Sequence, residues 1–117
     1  MSDEASAPRA PRTRRSATER LRQALSGLGE HHGQVLTHSE NAWASITFAG
    51  TRHRVSILFA GDQAVAAGEQ FVARLPEHEF AIPGQLVADA SVVEVEHRLV
   101  PSPRLVVQCE LLLLEDG

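Results

Sequence analysis

The chain has 117 residues, 43% of them hydrophobic and 22% charged, with a formal net charge of −4, which fits one domain with a modest core. A single cysteine, Cys109, excludes an internal disulfide and any multi-cysteine metal centre. The longest purely apolar run, Leu111–Leu114, is too short to cross a membrane, and Met1–Arg15 lacks the apolar run of a secretion signal, so a cytoplasmic setting without a membrane partner is expected.

Every basic residue is an arginine, and the alanine- and valine-rich composition suits a GC-rich bacterial genome. Charge is uneven along the chain. Residues 1–22 hold six arginines against three acids, whereas residues 23–117 hold five arginines against twelve acids. A basic arm on an acidic body either meets a polyanion or lies on its own domain.

Residues 1–15 contain Pro8 and Pro11 and no large apolar side chain beyond Met1, so a disordered arm is expected, followed by one domain over 16–117. Arg12, Arg14 and Arg15 are the arm's candidate phosphate contacts. The acidic body repels a polyanion, so a nucleic-acid partner is allowed but not favoured.

Ser16-Ala17-Thr18-Glu19 fits a capping box, Leu21, Leu25 and Leu28 follow at helical spacing, and Gly27 and Gly29 supply the stop. This predicts a helix from Ala17 to about Ser26. The polar stretch 30–40 offers at most a short strand.

Two alternating runs over 42–60 flank Gly50-Thr51, which suits a two-residue type II′ turn. That register sets Phe48 opposite His53 and Ile46 opposite Val55 on one face. Trp43, Arg52 and Arg54 share the other. An aromatic beside arginines on an open sheet is a candidate binding surface of the kind that stacks single-stranded nucleic acid. Cover by a helix or a second subunit is the simpler expectation for Trp43 and Leu58.

Asp62–Leu75 has helical spacing with Asp62 as N-cap, although Gly68 inside it costs roughly 1 kcal/mol. His78–Ile82 alternates like a strand, and Pro83-Gly84 suits a type II turn. That turn would set His78 opposite Asp89, a candidate acid/base pair. Leu86–Val100 and Arg104–Glu115 form a further predicted hairpin around Pro101-Ser102-Pro103. Its return strand points Leu105, Val107, Cys109, Leu111 and Leu113 inward and leaves Val106, Leu112 and Leu114 on the opposite face. Cys109 reads as a small buried hydrophobe, and His97 as a core or boundary residue.

The expected architecture is α+β. A mostly antiparallel sheet of five to six strands carries two helices on one face, in the order α-β-β-β-α-β-β-β. His31, His32 and His38 lack metal-ligand spacing, so no metal site is predicted, and no cofactor. There is no P-loop, dinucleotide glycine motif, nucleophile elbow or zinc signature. The leading expectation is a non-catalytic binding or adaptor domain that forms a homodimer, because Val106, Leu112 and Leu114 need a cover. The alternatives are a small enzyme using His78 and Asp89 in a pocket, and a nucleic-acid accessory protein using the arm.

Overall fold

The structure is a computed structural model that describes residues 9–115, with side chains from residue 17 onward. Residues 1–8 of the expected arm lie outside the described residues. In chain order the elements are α1 (Arg9–Leu28), β1 (Gly33–Ala44), β2 (Ala49–Ala60), α2 (Asp62–Arg74), a short 3-10 turn (Leu75–Glu77), β3 (Gln85–Arg98) and β4 (Arg104–Glu115). The four strands form one antiparallel sheet in the order β1-β2-β4-β3. Two hairpins therefore lie side by side, joined along β2 and β4.

Alternation along the two central strands sorts the sheet into two faces. Val55, Ile57 and Phe59 of β2 and Leu105, Val107, Cys109, Leu111 and Leu113 of β4 are buried in one cluster. The same cluster takes Leu21 and Leu25 from α1, and Ala64, Val65 and Phe71 from α2. Both helices thus pack on this inner face. Among the described residues no layer covers the outer face.

Local packing explains the helix boundaries. α1 ends where the Gly29 N–H bonds Leu25 O at 3.0 Å and the His31 N–H bonds Ser26 O at 2.8 Å. α2 is entered through Gly61, not capped by the Asp62 side chain: Gly61 has φ 100, a conformation that favours glycine, and its carbonyl accepts the Val65 N–H at 2.8 Å. Asp62 sits in the first turn, where a carboxylate complements the helix dipole. The expected cost of Gly68 also has a reason. A Cβ there would come within 2.8 Å of the Phe59 and Leu105 side chains, so glycine lets α2 lie close on the sheet.

The sheet has four strands where five to six were expected, and three local readings account for the difference. First, the turn of the first hairpin is at 45–48, not at Gly50-Thr51. The Ser45 N–H bonds Phe48 O at 2.8 Å, and the Ser45 hydroxyl accepts the Phe48 N–H at 3.0 Å. Ile46 and Phe48, expected in a strand facing Val55 and His53, are exposed in that turn. Gly50 instead pairs with Trp43 and Leu114, and a Cβ there would meet Leu113 O at 2.1 Å. It marks a close approach of β4 to β2.

Second, the polar stretch from 33 to 44 is the 12-residue edge strand β1, with a bulge between Val35 and Thr37. An edge strand that leaves much of its surface in solvent needs little apolar alternation, so pairing with β2 overrides weak local preference. Third, 78–82 forms no strand, only a single bridge from Ile82 to Gln85. The Pro83-Gly84 turn forms as expected, with the Gln85 N–H on Ile82 O at 3.0 Å and Gly84 at φ 78. The segment before it follows the core instead, burying Leu75 and Ile82. α1 also begins at Arg9, ahead of the expected capping box, so Ser16 lies within the helix rather than at its start. The second hairpin matches expectation, with bulges in β3 between Val87 and Asp89 and between Val92 and Glu94.

Candidate functional site

Two places concentrate polar chemistry, one on each face of the sheet. The outer one contains the predicted Trp43, Arg52 and Arg54. Opposed residues in an antiparallel sheet point the same way, so the registers define rows across the outer face. One row runs Trp43, Gly50, Leu114, Leu86. The next runs Asn41, Arg52, Leu112, Asp89, and the third Ser39, Arg54, Glu110, Ser91.

Glu110 is the hub of this face. Arg54 Nε donates to Glu110 Oε2 at 3.0 Å and its Nη2 joins the same oxygen, while Arg52 Nη1 lies 3.7 Å from Oε1. The hydrogen bond from Arg54, then the charges of Arg54 and Arg52, hold the Glu110 carboxyl below its ordinary range. Leu112 and Leu114 are only 9% and 7% exposed although, among the described residues, no layer lies above them. Their large row neighbours are Arg52, Trp43 and Leu86, and Leu86 itself is exposed.

His78 and Asp89 are not brought together. Asp89 lies in β3 opposite Leu112, on the outer face. His78 follows the 3-10 turn with its ring edge-on to Phe80, centroids 4.5 Å apart. Among the described residues no hydrogen bond or ion pair links the two, because the segment 78–82 does not pair back on β3 as the predicted register required. Arg12, Arg14 and Arg15 fall in the first two turns of α1, and their side chains lie outside the described ones. His97 is exposed near the end of β3, opposite Leu105. Cys109 is buried, which pushes its thiol up to about 12, and it donates to Val55 O at 3.6 Å.

The inner place was not foreseen from the sequence. His38, Glu40 and His53 gather where α1 crosses the β1–β2 hairpin. Glu40 is opposite His53, and His38 sits two residues before Glu40 on the same face of β1. His53 is 3% exposed, a polar residue in line with Val55, Ile57 and Phe59. Arg22 Nε donates to His38 Nδ1 at 2.9 Å, and His38 Nε2 lies 2.9 Å from His53 Nδ1. A guanidinium only donates, so His38 Nδ1 accepts. The ring proton of His38 is then on Nε2 and points at His53 Nδ1, which leaves the His53 proton on Nε2.

This chain of three needs both imidazoles neutral. Burial lowers the pKa of each ring; for His38 the charges of His53 and Arg22 add to it, and Glu40 opposes the shift at both. Thr18 of α1 donates to Glu40 Oε2 at 3.0 Å. Glu40, His53, Thr18, Thr51 and Leu113 line an open cleft of about 600 Å³ beside the cluster. Two signals in the sequence mark the place: a His-x-Glu step within a strand, and a histidine replacing an apolar residue in an otherwise apolar alternation. Joining them requires the true register of the hairpin.

No protein-family profile and no curated protein matches this chain. Among solved structures, the fold is similar to that of a chain from the virion of a native gene transfer agent particle. The TM-score is 0.53 at 15% identity, over 86% of this chain and 92% of that one.

Proposed function

We propose that this chain is a non-catalytic structural or adaptor subunit that assembles through the outer face of its sheet, and that the occupant of that face is a second copy of itself. The observation that carries this reading is the outer face, which no described layer covers: Leu112 and Leu114, expected to need a cover, are already buried by their neighbours, but half-buried Trp43 and exposed Leu86 flank a charged centre. The similarity of fold to a virion chain agrees with a life spent in contact with other chains. It supplies no ligand or reaction.

The rows make the face self-complementary. A two-fold axis between two copies, parallel to the strands, lays β1 over the partner's β3 and β2 over the partner's β4. Each row then meets its own reverse. Trp43 falls over the second copy's Leu86, and Leu114 over its Gly50. Arg54 falls over Glu110, and the reciprocal pair crosses it. Opposed charges at the centre and apolar contacts at the end are what an isologous interface requires. Exposed Ile46 and Phe48 extend the apolar end at the adjoining turn.

Sedimentation of the full chain at micromolar concentration tests the reading. The expected species has twice the 12.7 kDa chain mass. Arg54→Glu sets like charges against each other and is expected to weaken association roughly 100-fold, with the exchange Arg54→Glu/Glu110→Arg restoring most of it. A monomer at all concentrations, with a folded circular dichroism spectrum, would rule out the second copy as occupant. A dimer indifferent to Arg54→Glu would place the interface elsewhere.

A further inference from the structure

We propose that His38, Glu40 and His53 form a binding site for a first-row divalent transition-metal ion, with three protein ligands and an open coordination position facing the cleft. Imidazole nitrogens bind zinc at about 2.0–2.1 Å, so two of them on one ion sit roughly 3 to 3.5 Å apart. His38 Nε2 and His53 Nδ1 already stand 2.9 Å apart. The three candidate ligand atoms lie within 4.8 Å of one another, so a small rotation of the Glu40 side chain closes the set.

The backbone fixes this convergence. Glu40 and His53 are direct cross-strand partners in the β1–β2 ladder, and His38 is the next same-face residue of β1. The carboxylate has an orienting partner in the Thr18 hydroxyl, as ligating carboxylates usually do. Two imidazoles and a carboxylate suit zinc and its first-row neighbours rather than calcium or magnesium, which take oxygen donors. The adjoining cleft of about 600 Å³ leaves room for water or a small anion as the remaining ligand.

Arg22 competes with the ion. With an ion on His38 Nε2, the ring proton moves to Nδ1, where Arg22 Nε now donates. Arg22 lies on an exposed position of α1, so it swings into solvent when the ion binds. Binding therefore trades the Arg22–His38 hydrogen bond and the His38–His53 hydrogen bond for coordination, with the His38 proton carried from Nε2 to Nδ1 and both rings left neutral. Removal of the guanidinium should then strengthen the site, an outcome that a purely structural histidine pair does not predict.

The test is calorimetric titration of the chelator-stripped full chain with zinc chloride at neutral pH, repeated with cobalt(II), whose visible absorption reports nitrogen and oxygen coordination. One ion per chain with a dissociation constant of about 10 μM or tighter is expected. His38→Ala should weaken binding about 100-fold and Glu40→Gln about tenfold, while Arg22→Ala should tighten it several-fold. His38, Glu40 and Arg22 are not core residues, so these variants keep the fold. His53→Ala is less informative, because it empties a buried position. The double variant His31→Ala/His32→Ala should bind as the parent does. Absence of saturable zinc binding below about 1 mM overturns the proposal. So does parent-like affinity in both His38→Ala and Glu40→Gln.

Discussion

Two glycines on the helices show how one side chain can act in opposite directions. Gly27 lies in α1 with nothing within 4 Å of a Cβ built on it, so alanine there gains helix propensity without a clash. Gly27→Ala is expected to raise unfolding free energy by about 0.5–1 kcal/mol. Gly68 has the same propensity argument and the reverse outcome, since its Cβ would press on Phe59 and Leu105 at 2.8 Å. Gly68→Ala is expected to cost about 1–3 kcal/mol, as overpacking does. Urea denaturation of both variants checks the pair, and a stabilised Gly68→Ala would mean that α2 can lift from the sheet at little cost. The local sequence reads Gly27 as a helix stop, which the helix in fact passes to end at Leu28, and Gly68 as an internal weakness. Only the position of Phe59 and Leu105, fixed by two different strands, separates them.

The elements differ in how legible they are. β3 and β4 are plain from alternation and from the Pro-Ser-Pro turn, because their local signal and their tertiary pairing agree. α2 is equally plain, apart from its entry at Gly61. β1 is not, since a solvated edge strand carrying His38 and Glu40 on its inner face lacks the apolar alternation by which strands are recognised. The Gly50-Thr51 step misleads for a physical reason. Glycine serves a turn and a close backbone approach equally well, and a register summing to 101 also sorts apolar from polar residues. The same slip hides the histidine cluster, since it sets His53 against Phe48 instead of Glu40. The true turn is held by the Ser45 hydroxyl, which accepts the N–H groups of Thr47 and Phe48 at 3.3 and 3.0 Å. Ser45→Ala should therefore lower stability by about 0.5–1.5 kcal/mol. Thermal melting of the variant measures this, and an unchanged midpoint would mean that the Ser45–Phe48 backbone bond alone defines the turn.

At the scale of the whole molecule, the inner face carries both the core and the histidine cluster under α1, and among the described residues no layer covers the outer face. The placement of the two hairpins has a further consequence, and it concerns time. Each hairpin closes across a handful of residues, at 45–48 and at 99–103, and such contacts form in about 1–10 μs. Their joining is different. The β2–β4 seam runs from Ala60↔Arg104 to Gly50↔Leu114, residues far apart along the chain, and its closure must be paid in chain entropy before any core contact rewards it. Docking of two preformed halves is then the slow event of folding. Val55→Ala, at the middle of the seam opposite Cys109, should slow refolding in stopped-flow experiments. Val35→Ala, out on the edge strand, should mainly speed unfolding. A Val55 variant that refolds at the parent rate would show that the halves meet before the seam is formed.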